Sequence, residues 1–303
     1  MTVISMEMIQ KVREATSAGM MDCKKALTES NGDFDAAVDW LRKKGIASAA
    51  KKASRVAAEG LVSVVTQGNK GIAFEVNCET DFVAKNEEFQ KFCATAAQQA
   101  LDKNTTDFDA IQVGGKAAKE TLAELVGKIG ENMSMRRAEI LQVSQGAVVG
   151  YLHNAVNDKS GKIGVMVALE STASADKLTD LGRKIAMHIA AARPEALDRT
   201  QVDTSKLERE RAVLVDQARA SGKPENIIEK MVEGRLNKYY EEVVLLEQIF
   251  VMDGENKISA VVEAAAKEAG APITLKGFTR FGLGEGIEKN QGDFAAEVAA
   301  MAR

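Results

Sequence analysis

Leu61-Val62-Ser63-Val64-Val65 and Ile72-Ala73-Phe74-Glu75-Val76 are two apolar, β-branched runs separated by Gln67-Gly68-Asn69-Lys70-Gly71. Short strand-like runs on either side of a loop rich in Gly and Asn read as a β-hairpin. A helical stretch follows from about Asn86 to Leu101. The same order then recurs. Gly146-Ala147-Val148-Val149-Gly150-Tyr151 leads through a polar turn, Asn157-Asp158-Lys159-Ser160-Gly161, to the strand Ile163-Gly164-Val165-Met166-Val167 and a helix from Leu178 to Ala192. Both second strands reach a Glu followed by a small hydroxyl residue, Glu79-Thr80 and Glu170-Ser171. The recurrence reads as an internal duplication of a strand–strand–helix unit, which predicts two related α/β core subdomains.

Outward from this core the pattern becomes helical. Between residues 5 and 45 apolar positions fall in three bursts: Met8, Ile9 and Val12, then Met21, Ala26 and Leu27, then Phe34, Ala37, Val38 and Leu41. Asn31-Gly32 ends the second burst, Asp33 can cap the third, and Gly45 can close it. The result is a three-helix module with an Ala-rich linker from Ala47 to Ala58. From Val202 to Tyr240 a charged helical pattern is broken at Gly222-Lys223-Pro224, which suits an antiparallel helical hairpin with a thin apolar seam. Phe250-Val251-Met252 and Ile273-Thr274-Leu275 through Phe281 return to strand-like alternation, and Gly292 to Met301 carries an Asp cap and a helical apolar face. The expected class is α+β multidomain. Its divisions are a three-helix module at 1–54, core subdomains at 55–144 and at 145–198 with 241–281, a hairpin insertion at 199–240 and a C-terminal module at 282–303.

Composition narrows the function. The 303 residues carry 40 Lys and Arg against 44 Asp and Glu, a net charge of −4, whereas proteins that bind nucleic acid through phosphates normally show a basic excess. A small basic run, Lys43, Lys44, Lys51, Lys52 and Arg55, reads as a solvated helix flank. Three widely spaced thiols, Cys23, Cys78 and Cys93, fit small core residues in a reducing compartment. The opening residues show no signal-like or spanning apolar run, so the expected location is cytoplasmic, or organellar after processing, with no membrane partner.

Few residues suggest chemistry. His153 and His188 are the only histidines, and neither sits among other ligands at a metal-binding spacing. His188 lies in an apolar helical stretch and reads as a satisfied core imidazole, whereas His153 stands beside a turn, where a partner could reach it. Gly114-Gly115-Lys116 is followed by Ala117 where a phosphate loop needs Ser or Thr, and Gly282-Leu283-Gly284-Glu285-Gly286 continues to Ile287 where a dinucleotide fingerprint needs glycine. No cofactor, metal or catalytic residue is therefore expected. One segment remains, Thr80-Asp81-Phe82-Val83, where a strand ends and an acid and an aromatic precede a helix. Residue physics favours a plain reading in which Asp81 caps that helix and Phe82 packs beneath it.

Several blocks resemble the bacterial elongation factor Ts family: residues 16–27, Glu75 to Lys85, Lys128-Ile129-Gly130-Glu131-Asn132 with Arg136-Arg137, Met231-Val232-Glu233-Gly234-Arg235, and Gly284-Glu285-Gly286-Ile287-Glu288-Lys289. The resemblance implies an N-terminal module similar to ubiquitin-associated domains. It also implies a guanine-nucleotide exchange factor without chemistry of its own, whose partner is elongation factor Tu. Thr80, Asp81, Phe82 and Val83 would then enter the GTPase beside its nucleotide, with Phe82 as wedge and Asp81 disturbing the Mg²⁺ site. Met20, Met21 and Lys24 of the N-terminal module, His153 of the second subdomain, and Phe294 and Val298 of the C-terminal helix would supply further contacts. A homodimer through the helical hairpin would be a further possibility. A ribosome- or RNA-binding protein and a ubiquitin-type adaptor are the competing classes.

Overall fold

The computed structural model describes residues 3–16, 18–220 and 222–288. Three helices open the chain: α1 (Met6–Thr16), α2 (Met20–Glu29) and α3 (Phe34–Lys52). They bury Ile9, Val12, Cys23, Ala26, Leu27 and Ala37 in a small core of their own. Asp33 caps α3 by accepting a hydrogen bond from the Ala36 N–H at 2.7 Å, and Asn31 and Gly32 end α2 with positive φ. Gly45 does not close α3, which runs on for seven residues to Lys52. The reason is tertiary. A Cβ on Gly127 of α6 (Ala118–Ile129) would lie 2.9 Å from the Gly45 Cα, so glycine permits the two helices to cross in contact, which offsets its ~1 kcal/mol helix penalty.

Two strand pairs form the frame. In the first, β1 (Glu59–Gln67) and β2 (Lys70–Cys78) pair antiparallel up to Gln67 and Lys70, leaving Gly68-Asn69 as a two-residue loop with Gly68 at φ 59°. The one-turn α4 (Asp81–Ala84), α5 (Glu87–Asp102), a two-residue hairpin of β3 (Gln112–Val113) and β4 (Lys116–Ala117), α6, and β5 (Met133–Gln142) follow. In the second pair, β6 (Gly146–Asn157) and β7 (Ser160–Ser171) lead to α7 (Ala175–Ala192). The antiparallel hairpin α8 (Thr204–Arg219) and α9 (Glu225–Val243), then α10 (Ile258–Ala269) and β8 (Ile273–Gly282), complete the described chain. Phe250-Val251-Met252 is a turn rather than a strand: Phe250 alone is buried, and its N–H closes a loop onto the Asn256 carbonyl at 2.8 Å.

The sheet order is β5-β2-β1-β7-β6, with β8 also on β7. β1 meets β7 only at Val62–Gly161 and Ser63–Ser160, so the sheet is two three-stranded units, β1–β2–β5 and β6–β7–β8, joined at a corner. α5 and α6 cover the first around Phe74, Phe89 and Leu101, and α7 and α10 cover the second around Val165, Val167, Ile185 and Ile258. The chain is thus α+β multidomain, as read from the sequence.

Matching glycines fix the correspondence of the units. Gly60 and Gly146 both have φ 128°, and a Cβ on either would lie 2.1 Å from a carbonyl oxygen of the neighbouring strand, Val76 and Leu169 respectively. Gly60 faces Asn77 and Gly146 faces Glu170, so Asn77 corresponds to Glu170. The likeness of Glu79-Thr80 to Glu170-Ser171 is therefore out of register by two residues. Glu170-Ser171 lies inside β7, while Glu79-Thr80 lies beyond the end of β2.

The α8–α9 hairpin buries only Leu214, Ala218, Ile228 and Val232, with Pro224 at the cap position of the returning helix. Among the described residues no helix is long and apolar enough to cross a membrane. The terminal helix expected at 292–301, with Phe294 and Val298, lies outside the described residues.

Candidate functional site

The Thr80–Val83 turn begins where β2 runs out. The Cys78 thiol donates to the Thr80 carbonyl at 3.1 Å. Thr80 gives both its donors to one carboxylate: its N–H reaches Glu131 Oε2 at 2.9 Å and its hydroxyl reaches Glu131 Oε1 at 2.7 Å. Glu79 returns the arrangement by accepting the Asn132 N–H. Val83 and Ala84, at the other end of α4, are buried in the core of the first unit. Between these anchors Phe82 stands 78% exposed.

This geometry departs from the plain reading. Asp81 caps nothing; its Oδ2 accepts from the Lys85 ammonium at 2.8 Å, which holds its carboxyl below the usual range, and the same ammonium lies 5.7 Å from the Phe82 ring centroid. Capping of α5 falls to Asn86, whose Oδ1 accepts from the Glu88 and Phe89 N–H groups at 3.0 and 3.2 Å. Burial beneath the helix falls to Val83. With both structural tasks done by neighbours, Phe82 is a large aromatic left in water.

The other candidates stand apart from this turn on different elements. Met20 and Met21, 47% and 76% exposed, open α2, and Lys24 is exposed one turn later. Met20 also lines a groove with Met6, Ile9, Arg13 and Lys128. His153 lies within β6 rather than at a strand end, exposed on the long β6–β7 arm with its Nδ1 3.2 Å from the Tyr151 hydroxyl. His188 is fully buried and satisfied: Nε2 meets Gln248 Oε1 at 2.8 Å, and Nδ1 accepts the Val251 N–H at 3.3 Å. Burial holds its pKa below the ordinary value. The Cys78 thiol is pushed up to about 12 by burial and by the neighbouring Glu131 carboxylate, so it is protonated and no nucleophile near neutrality. Cys23 and Cys93 are buried as expected.

One polar cluster escaped the sequence reading. Glu75, fully buried in β2, accepts from Arg136 at 3.0 Å, Arg137 at 2.5 Å, Asn77 at 3.0 Å and the Gly284 N–H at 2.8 Å. Burial by itself would raise its pKa; these bonds, led by Gly284 and Arg137, outweigh that and lower it. Arg137 continues to the Gly282 carbonyl and lies 4.2 Å from the Phe281 ring centroid, while Arg136 reaches the Glu285 carbonyl. Gly284, at φ 67°, allows the turn to press against the Ala58 carbonyl. The glycine-rich run after β8 is therefore a clasp between the two units rather than a phosphate cradle. A lone Glu inside an apolar strand was the available signal.

Fold and turn together define a multidomain α+β protein that displays its most exposed described phenylalanine on an outer, buttressed turn. A family model described as Elongation factor TS matches residues 79–285. The chain is 61% identical to elongation factor Ts of Rhodospirillum centenum and 59% identical to that of Paramagnetospirillum magneticum, over its full length in both cases and over 100% and 98% of those proteins. Elongation factor Ts of Magnetococcus marinus is 54% identical over 98% of each chain. The chain belongs to the elongation factor Ts family, and so to the factors of translation elongation.

Proposed function

We propose that this chain is the guanine-nucleotide exchange factor of elongation factor Tu and speeds GDP release without bond-making chemistry of its own. The observation that carries the reading is Phe82, exposed on a turn whose flanks are fastened to the core. In this reading Phe82 enters the GTPase as a wedge, with Thr80 and Val83 framing it. Asp81 exchanges its solvent-exposed Lys85 partner, which holds it weakly, for groups around the partner's Mg²⁺. Mg²⁺ neutralises the GDP phosphates, so disturbing its surroundings loosens the nucleotide.

Linkage sets the energy required. The factor weakens GDP only as far as GDP weakens the factor, and a ten-thousandfold effect needs about 5.5 kcal/mol of differential binding. One turn does not supply that, so other contacts share it: Met20, Met21 and Lys24 on α2, His153 on the β6–β7 arm, and Phe294 with Val298 near the C-terminus. The divisions at 1–54, 55–144, 145–198 with 241–281, 199–240 and 282–303 would then be the working parts of one extended interface. The α8–α9 hairpin remains available for self-association, and the setting would be the cytoplasm.

The direct test is release of a fluorescent GDP analogue from elongation factor Tu with increasing amounts of this protein. Acceleration is the expected result; an unchanged release rate sinks the proposal.

A further inference from the structure

We propose that Glu131 is the positioning residue of the exchange turn, an inference that rests on the function proposed above and assigns a role to a side chain that does not belong to the wedge. α4 is four residues long, too short to hold its own shape. Its direction must be imposed from both ends. Val83 and Ala84 impose it at the C-terminal side by burial. At the N-terminal side the Cys78 thiol reaches the Thr80 carbonyl, whereas Glu131 holds both Thr80 donors, its two carboxylate oxygens taking the N–H and hydroxyl at 2.9 and 2.7 Å. Thr80 is the residue that precedes the first turn of α4, so fixing its backbone fixes the course on which Phe82 projects two residues later.

Glu131 is itself placed. Gly130 ends α6 in the left-handed conformation, φ 92°, which turns the chain across the end of β2. The Asn132 N–H donates to Glu79, and the Asn132 side chain donates to the Arg55 carbonyl at 2.7 Å. Residues 79–80 and 131–132 are thus strapped reciprocally, and the strap extends to the segment just beyond α3. Neighbouring carboxylates that each hold the other segment's backbone N–H leave the turn little freedom to swing.

The test compares Phe82→Ala, Glu131→Ala, Glu131→Gln and Thr80→Val in GDP release from elongation factor Tu, together with amide hydrogen exchange at Phe82 and Val83. Glutamine can still accept from the Thr80 N–H and donate to its hydroxyl, so Glu131→Gln should stay within about twofold of the native rate. Glu131→Ala should lower the release rate at saturating factor by about tenfold, shift the half-saturating concentration by less than about threefold, and speed amide exchange at the turn. Native release by Glu131→Ala beside slow release by Phe82→Ala overturns the role of Glu131. So does equal loss in Glu131→Ala and Glu131→Gln. If Glu131→Ala does not fold, Thr80→Val decides through amide exchange in the free factor: it should speed exchange at Phe82 and Val83, and native protection there overturns the inference. Native release by Phe82→Ala would instead remove the wedge on which it rests.

Discussion

The ends of β2 and β7 occupy matching places in two units of similar strand order, and they are built differently. With Asn77 matched to Glu170, Cys78 answers to Ser171. From Ser171 the chain takes three residues, 172–174, to enter α7. From Cys78 it takes eight, 79–86, to enter α5, and those eight form the turn that displays Phe82. A second contrast lies inside the strands. Glu75 of β2 answers to Ala168 of β7, so the first unit holds a buried carboxylate and two arginines where the second is apolar. The second unit instead has the longer strands, twelve residues each against nine, and they carry His153 outward. The two units share a frame, and each carries its own projection.

The largest expected effect breaks the clasp that only the first unit has. Glu75→Ala makes β2 resemble β7 but leaves Arg136 and Arg137 without their carboxylate, so stability should fall by about 3–5 kcal/mol in urea unfolding. Phe82→Ala should cost at least about 2 kcal/mol of exchange activity, roughly thirtyfold, while the unfolding midpoint stays within about 0.5 kcal/mol of native. A stability loss without an exchange loss would return Phe82 to a structural role. Gly60→Ala and Gly146→Ala should each destabilise by more than about 1 kcal/mol and by similar amounts, because each drives a Cβ onto a carbonyl oxygen from the same backbone geometry. Unequal costs would question the register that matches Asn77 to Glu170.

Acidification should separate the two units. The His188 pKa is lowered on folding, so its stabilising contribution is present above the unfolded value of about 6.5 and is lost as pH falls below it. Glu75 is lowered too, so its contribution is present above about 4.3 and is lost only below that. Urea titrations from pH 8 to pH 4 should therefore show the first loss near pH 6, and His188→Gln should remove it. The smallest effect belongs to Thr172, the exposed counterpart of Glu79: Thr172→Ala should change stability by less than about 0.5 kcal/mol and leave GDP release unaltered.

Much of this frame is legible in the residues. Short apolar strand-like runs marked β1, β2, β6 and β7, and helical spacing marked α5, α7 and the α8–α9 hairpin. β5, α6 and α10 are not among the elements expected from the sequence. Arg136, Arg137 and Glu139 make β5 look like a solvated segment, and it becomes a strand because Glu75 and the carbonyls of Gly282 and Glu285 receive its charges. Nor does local sequence reveal that α3 passes through Gly45, since the cause is a helix 82 residues away at Gly127. The turn at Thr80 was located from the sequence, but its exposure was not. Whether Phe82 lies under α5 or in water depends on which neighbour takes the cap and which fills the core.

The sequence by itself determined that a strand–strand–helix order occurs twice along the chain, that its thiols and His188 belong to the interior, and that Thr80 to Val83 is a place where order changes. Those are properties of local spacing and polarity, and they survive without knowledge of distant contacts. Only the tertiary structure decided the register of the repeat, the clasp at Glu75 and the outward stance of Phe82. Each depends on groups far apart in the chain, such as Gly284 with Glu75 or Glu131 with Thr80, meeting within hydrogen-bond reach, and no local pattern encodes that meeting.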